Sequence, residues 1–501
     1  AGIAQAASIA EPWHGQPLWW LQLGSLAVFV WLLDESGPSY KRGALLGWTF
    51  ATAWLGATYW WMYISLHTYG GLPAPLAAIA VFMLGALLAL YYAAVCGFFK
   101  LCWPSPLVHW SIRAIVFAAL WLLAELARGN WFTGLPWGAG GYAWVDGPLA
   151  WLAPLAGVYA MTFAATLVAA WIGSGVSARG WGIALVFVIA VCVIAFAVGR
   201  TPLPSYTRSA GTLEVSLLQG NIPQSEKFQP NSGIPAALAW YSDQLQTAPG
   251  DLVVAPETAI PLLPRHLPPG YLDTIAAHFA AGQQAALIGI PLVSRQGSDG
   301  GYTNSVIGFA PGRDAAYRYD KHHLVPFGEF VPPLFKWFTR MMNIPLGDFD
   351  RGGVGQPSFA WKGQLLAPNI CYEDLFGEEL GQRFADPASA PTIFVNVSNI
   401  AWFGDSLAID QHLQLSRMRA LEFQRPMIRA TNTGATAIVD HRGRVLQELP
   451  RQTRGVLTGI VEGRSGNTPY ADWVSRFGLW PFWAFALLLP MLVALGFRRK
   501  R

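Results

Sequence analysis

A thiol, a carboxylate and an ammonium stand in three short polar motifs of this chain, and together they are sufficient for acyl transfer through a thioester. Cys371 lies in Pro368-Asn369-Ile370-Cys371-Tyr372-Glu373-Asp374, directly after Gln364-Leu365-Leu366-Ala367, which reads as a strand. Glu257 lies in Ala255-Pro256-Glu257-Thr258, behind an apolar run that begins after Asp251. Lys321 opens the stretch Lys321-His322-His323-Leu324-Val325-Pro326-Phe327-Gly328-Glu329. A thiolate is a soft nucleophile, and its thioester is open to attack by an amine. A free thiol titrates near 8.5, so such a cysteine needs a base beside it.

Each residue alone has a plainer reading. A cysteine after a strand is commonly a small core residue. Glu257 reads equally well as a solvated loop acid, and an isolated lysine is usually on the surface. The polar run Tyr372-Glu373-Asp374 argues against a core role for Cys371. Adjacent side chains at His322 and His323 diverge, and neither a third ligand nor a CxxC spacing is in view, so no metal is expected.

These motifs sit in a chain of unusual composition. Its 501 residues leave room for about two to four domains. It is 53% hydrophobic and only 12% charged, where soluble domains carry about 25% charged residues. Much of it therefore belongs in lipid, and its 24 Trp suit interfacial belts. A net charge of +4 with no basic stripe excludes nucleic acid as an expected partner. Cys96, Cys102 and Cys192 fall in or beside apolar runs, leaving Cys371 alone in the polar part.

A spanning helix needs about 20 mostly apolar residues. Candidate runs are Pro17–Leu33, Ala44–Leu66, Leu76–Phe99, Ile112–Ala127, Leu149–Gly173, Trp181–Val198 and Phe477–Phe497. Residues 1–12 are too short to span and read as the tail of an earlier helix. The chain opens on Ala1, and a start inside the natural gene product is expected; no signal peptide is recognisable. Lys41 and Arg42, Lys100 and Arg113, Arg179 and the Arg498–Arg501 tail occupy alternate connections, which predicts the cytoplasmic side. Residues 1–200 thus read as a transmembrane helical bundle, 201–473 as a periplasmic domain, and 474–501 as a last spanning helix with a basic cytoplasmic tail.

Within the middle segment, short apolar or β-branched runs predict strands at Leu213–Gln219, Leu252–Ala255, Ala286–Ile290, Ser305–Phe309, Leu365–Asn369, Thr392–Val397, Met427–Thr431 and Ala435–Val439. Helical pattern covers Leu272–Ala281 and Ala408–Phe423. This mix predicts a layered α/β domain with buried sheets.

In order and spacing, the three motifs resemble the Glu-Lys-Cys signature of the nitrilase superfamily over about residues 212–462. The resemblance implies an αββα sandwich with Glu257 as general base, Lys321 as oxyanion partner and Cys371 as nucleophile. Glu329, Tyr372 and Glu373 are the implied supporting residues, with Asn304 beside them. Leu324–Pro332, Gln219-Gly220-Asn221-Ile222-Pro223-Gln224 and the flanking helices are similar to the membrane-bound branch, the apolipoprotein N-acyltransferases. Many members carry Trp soon after the second motif, where this chain has Phe228, and about eight spanning helices against the seven counted here.

That closer resemblance implies a two-step reaction in the bacterial inner membrane. An acyl chain leaves the sn-1 ester of a phospholipid, typically phosphatidylethanolamine, for Cys371. It then passes to the α-amine of an S-diacylglyceryl-cysteine apolipoprotein. No metal or cofactor is implied, and a monomer is expected. Apolar surfaces including Trp402 and Phe403 are expected to bind substrate and exclude water from the thioester. Two other readings stand beside it: a membrane-tethered amidohydrolase acting on a small amide, and a transporter with a soluble binding domain. Several helices exceed what a tether needs, and Glu125 is the one clear acid inside an apolar run, where transporters usually carry more.

Overall fold

The computed structural model describes residues 1–103, 109–179, 182, 204–295, 301–313, 315–330 and 349–498. The chain divides into two units: Ala1–Tyr63 with Ala74–Pro204 and Phe477–Arg501, and Ile64–Pro73 with Ser205–Arg476.

Apolar sequence builds the first unit as helices. Among the described residues, Ala74–Cys102, Trp110–Thr133 and Ala150–Val176 are long and apolar enough to cross a membrane. A fourth results if Pro469–Phe477 and Trp480–Gly496 count as one broken span. The run expected at Pro17–Leu33 is the helix Trp19–Glu35, whose 17 residues reach only about 25 Å at the helical rise. The run expected at Ala44–Leu66 is helical from Tyr40 only as far as Thr58, and Ser65–Tyr69 forms a separate π-helical turn in the other unit. The run Trp181–Val198 lies outside the described residues.

Two charged groups buried among these helices, Arg128 and Glu125, have polar partners. The Arg128 guanidinium donates to the hydroxyls of Tyr92 and Tyr59, both at 3.0 Å, and to the Leu135 and Trp137 carbonyls. Glu125 accepts from the Gly140 N–H at 3.2 Å and lies 3.6 Å from Arg128. Within a membrane-spanning bundle, internal partners of this kind satisfy backbone groups that water cannot reach.

The second unit is a sandwich of two six-stranded sheets. One contains β1 (Arg208–Gln219), β2 (Leu252–Ala255), β3 (Ala285–Val293), β4 (Tyr302–Phe309), β5 (Tyr317–Asp320) and β12 (Gly455–Ser465), in the order β12-β1-β2-β3-β4-β5. The other contains β6 (Phe359–Trp361), β7 (Gln364–Ile370), β8 (Ile393–Ser398), β9 (Met427–Thr431), β10 (Ala437–Val439) and β11 (Val445–Glu448), in the order β11-β10-β9-β8-β7-β6. Each sheet has a parallel trio, β1-β2-β3 and β7-β8-β9, with antiparallel strands outside it.

The parallel strands read as nearly continuous apolar runs because both their faces are covered. Leu213, Val215, Leu217 and Val254 meet Leu366, Ile370, Val395 and Ile428 in the layer between the sheets, all at most 1% exposed. The opposite face of the first sheet, through Val253, Ile288 and Ile290, packs on the helices Gly233–Thr247 and Tyr271–Ala281. The helix Leu407–Phe423 covers the second sheet, with Phe423 edge-on to Phe394 of β8. These layers make the αββα arrangement. The parallel strands β2 and β7 end on the loops that hold Glu257 and Cys371, a usual place for a site in α/β sheets, and β5 ends on the Lys321 motif.

Candidate active site

Strand β7 delivers Cys371. The chain leaves the strand through Ile370 and turns at once, with Cys371 at φ 52° opening a 3₁₀ turn to Leu375. A non-glycine residue in that left-handed region is strained and persists only where its surroundings hold it. Here they do. The Cys371 carbonyl accepts from His412 Nε2 at 3.1 Å and from Asn396 Nδ2 at 3.3 Å. Arg429 can only donate, so His412 Nδ1, 2.9 Å from Arg429 Nη2, is the acceptor and Nε2 carries the proton. Asp374 completes this buried group, taking Arg429 at 3.4 Å and the Ser416 hydroxyl.

Strand β2 delivers Glu257 through Pro256, with Thr258 again at positive φ. Gly289 of β3 faces this turn: a Cβ there would stand 2.2 Å from the Pro256 carbonyl. Only glycine lets the loop close this tightly. One Glu257 oxygen accepts from Asn304 Nδ2 at 2.7 Å, and the other from the Asn399 N–H at 2.8 Å. Lys321 follows β5, and its N–H bonds to the Asn304 carbonyl at 2.8 Å. Its ammonium lies 2.8 Å from Glu329 and 3.5 Å from Glu257. Asn304 also donates to Glu329 at 2.8 Å, bridging the two carboxylates on either side of the lysine.

Electrostatics ties Cys371 to this group. The residue is half-buried, and desolvation pushes its thiol up to about 12, with the Glu257 charge adding and Lys321 opposing. Burial alone pulls the Lys321 ammonium down; Glu329, Glu257 and Cys371 outweigh it and hold it above the ordinary lysine range. The lysine is therefore a fixed positive charge, while the thiol gives up its proton only to a base held close by.

The remaining expected residues do other things. Glu373 sits in a buried knot, accepting from the N–H groups of His322 and Ile370, at 2.7 and 2.6 Å, and from the Tyr319 hydroxyl at 2.7 Å. His322 lies 2.7 Å from Glu373 and 2.8 Å from Glu379, and His323 lies 3.0 Å from Glu379. Tyr372 is buried edge-on to Phe376, which stacks on His323. Trp402 and Phe403 are half-buried in the 3₁₀ turn after β8, with Trp402 edge-on to Tyr69.

Three neighbours escaped the sequence reading. Asn399 acts through its backbone, so its residue type carried no signal. His412 lies on a helix, far from the polar motifs. Lys227 is 2% exposed and donates to the Glu257 carbonyl at 3.1 Å; its signal was its place directly before Phe228, beside the Gln219–Gln224 motif.

Two family models match the chain: the apolipoprotein N-acyltransferase N-terminal domain over residues 1–171, and carbon-nitrogen hydrolase over residues 214–470. The chain is 59% identical to an apolipoprotein N-acyltransferase of Verminephrobacter eiseniae, covering 96% of this chain and 92% of that protein. It is 43% identical to one of Ralstonia nicotianae, covering 96% and 90%. Among solved structures, a carbon-nitrogen hydrolase from Helicobacter pylori G27 is similar at 18% identity and a TM-score of 0.36, covering 55% of this chain and 94% of that one. With both domains in order and this identity along nearly its whole length, the chain belongs to the apolipoprotein N-acyltransferase family, within the nitrilase superfamily.

Proposed function

We propose that this enzyme acylates the N-terminal α-amine of S-diacylglyceryl-cysteine apolipoproteins, taking the chain from the sn-1 ester of a membrane phospholipid such as phosphatidylethanolamine. One observation carries the residue assignment: Glu257 and Lys321 lie in ion contact, 3.5 Å apart, with both their charges acting on Cys371. Family membership supports the choice of acceptor.

In the first half, Glu257 takes the thiol proton as Sγ attacks the ester carbonyl. The oxyanion forms against the Lys321 ammonium, whose charge Glu329 and Asn304 keep in place. The ester C–O bond breaks, the proton passes to the leaving oxygen, and lysophospholipid departs. In the second half the α-amine attacks the thioester and yields its proton to Glu257, which returns it to Sγ. A preorganised cation beside the developing charge is worth about 10²–10³ in rate. Trp402 and Phe403 are placed in this reading on the acyl side, where apolar cover slows hydrolysis. In this reading the enzyme works as a monomer anchored in the inner membrane, and the alternating basic connections favour a periplasmic catalytic domain.

Purified enzyme given phospholipid alone is expected to release about one equivalent of lysophospholipid and then stop, gaining an acyl mass that hydroxylamine removes. Turnover resumes when a diacylglyceryl-cysteine peptide is added. Steady release of free fatty acid, at a rate the peptide leaves unchanged, would make the enzyme a hydrolase and overturn the reading.

A further inference from the structure

We propose that Lys227 is a second buried ammonium of this site, a positioning residue that fixes the Glu257 turn through its backbone carbonyl and biases Cys371 toward the thiolate. It rests on the reading of Cys371 and Glu257 given above.

Lys227 and Lys321 differ in what they face. Lys321 has two carboxylates within 3.5 Å. Lys227 is also almost wholly buried, but among the described residues its one hydrogen bond goes to a neutral carbonyl, that of Glu257, and no carboxylate lies within 4 Å. A buried charge without an ionic partner is expensive, so its placement calls for a role. Its own segment is held at the site: the Lys227 N–H bonds to the Pro223 carbonyl at 2.9 Å. Gln224, from the same segment, accepts from Asn399 Nδ2 at 2.9 Å, and the Asn399 N–H holds the Glu257 carboxylate. The segment thus holds Glu257 directly at its carbonyl and, through Asn399, indirectly at its carboxylate.

The charge matters as well as the bond. Burial pulls the Lys227 ammonium down to about 7, against the upward pull of the Glu257 and Cys371 charges. The other charged groups around the thiol are Lys321, whose charge is fixed, Glu329, and the buried Arg429 guanidinium that pairs with Asp374 behind the turn. Lys227 is therefore positive below pH 7 and loses its charge above it. While charged it favours the Cys371 thiolate; once neutral it only anchors the turn.

Alkylation of Cys371 in the full chain, followed on its own peptide by mass spectrometry with iodoacetamide as probe, separates charge from anchoring. Lys227→Gln keeps a donor toward the carbonyl and removes the charge. It is expected to slow alkylation roughly tenfold at pH 6, the size of a one-unit rise in thiol pKa, and to match the unsubstituted enzyme at pH 9. Lys227→Arg keeps its charge at both values, so it is expected to react faster than the unsubstituted enzyme at pH 9. Should the Gln protein fail to fold, the Arg protein decides alone. A substituted-to-unsubstituted ratio that does not change with pH, or no change in rate at either pH, overturns the proposal. Thiol reactivity needs no acyl donor, so failure of the transfer chemistry is read separately.

Discussion

Two buried glutamates flank Cys371, and they differ in how fully their oxygens are used. Glu373 is met by the backbone N–H groups of Ile370, His322 and His323, the Tyr319 hydroxyl and the His322 ring. Among the described residues, the Glu257 carboxylate has the Asn304 amide, the Asn399 N–H and the more distant Lys321 ammonium. Burial pushes the Glu373 carboxyl up, but His322 and the Ile370 N–H outweigh it and hold it near 2. A carboxylate so held gives no useful base at neutral pH, since it binds a proton too weakly. In the proposed mechanism the less saturated acid is the one that transfers the proton, while the saturated one holds the turn after Ile370.

The sharpest way to break that contrast is to neutralise each acid in turn. Glu257→Gln keeps the size and one amide partner, yet should lower single-turnover acyl-enzyme formation by about 10³ or more, with the fold intact. Lys321→Ala should cost about 10²–10³ in the same assay, and Lys321→Arg should recover little, because its planar fork presents different geometry. Near-normal acyl-enzyme from Glu257→Gln would place the base elsewhere.

Glu373→Gln should act on stability instead. Removing one member of a buried ion pair strands the other and costs about 3–5 kcal/mol, so the sandwich should melt well below its normal temperature. Protein that remains folded should form acyl-enzyme at a rate within about tenfold of normal, far above Glu257→Gln. Equal kinetic losses from the two substitutions would erase the distinction.

How far this site could be read without the fold follows from the same contrast. Glu257, Lys321 and Cys371 each end a strand or sit in a short motif of unusual composition, so local sequence marks them. The two histidines beside Lys321 looked like a metal pair set aside for want of a third ligand; their carboxylate partners are Glu373 and Glu379, about 50 residues downstream. Lys227 reads as a surface lysine because only tertiary packing buries it.

The sheets show the same limit. Each parallel strand is a dense apolar run and was recognisable. β12 alternates loosely, is half exposed along most of its length and pairs with β1 across the whole domain, so nothing nearby in sequence announces it. The helix Tyr40–Thr58 ends inside a run that remains apolar to Leu66, where hydropathy alone gives no boundary.

The histidine knot adds a pH dependence whose direction is set by three groups. Burial pulls His322 down, but Glu373 and Glu379 hold it up at about 10, against an ordinary 6.5. Its stabilisation is complete below pH 6.5 and fades as pH climbs through 10. Burial raises Glu379 and Glu373, yet their histidine partners hold both near 2, against 4.5. That contribution is complete above pH 4.5 and is lost as pH falls through 2. The knot is therefore at full strength between pH 4.5 and 6.5. Melting of the full chain should weaken from pH 6.5 toward 10, and His322→Gln should flatten that limb. A limb unchanged in His322→Gln would assign it to other groups.

The smallest expected effect concerns Trp402, on the acyl side of the proposed chemistry. Its ring meets Tyr69 edge-on at 6.0 Å, and Ile64 packs against Gly404. Tyr69 lies in Ile64–Pro73, a segment that belongs to the catalytic unit although the chain on both sides of it belongs to the helical one. An edge-on aromatic pair contributes about 0.5–1.5 kcal/mol beyond its buried area, too little to decide folding. Tyr69→Leu should therefore leave melting within a few degrees of normal. If the pair covers the acyl chain, Trp402→Ala should speed loss of the thioester to water several-fold, with lysophospholipid release in the first turnover unchanged. A double substitution no worse than Trp402→Ala alone would show that Tyr69 works through Trp402. Independent, additive effects would instead make the segment Ile64–Pro73 a separate contributor, and Trp402 a residue of the sandwich alone.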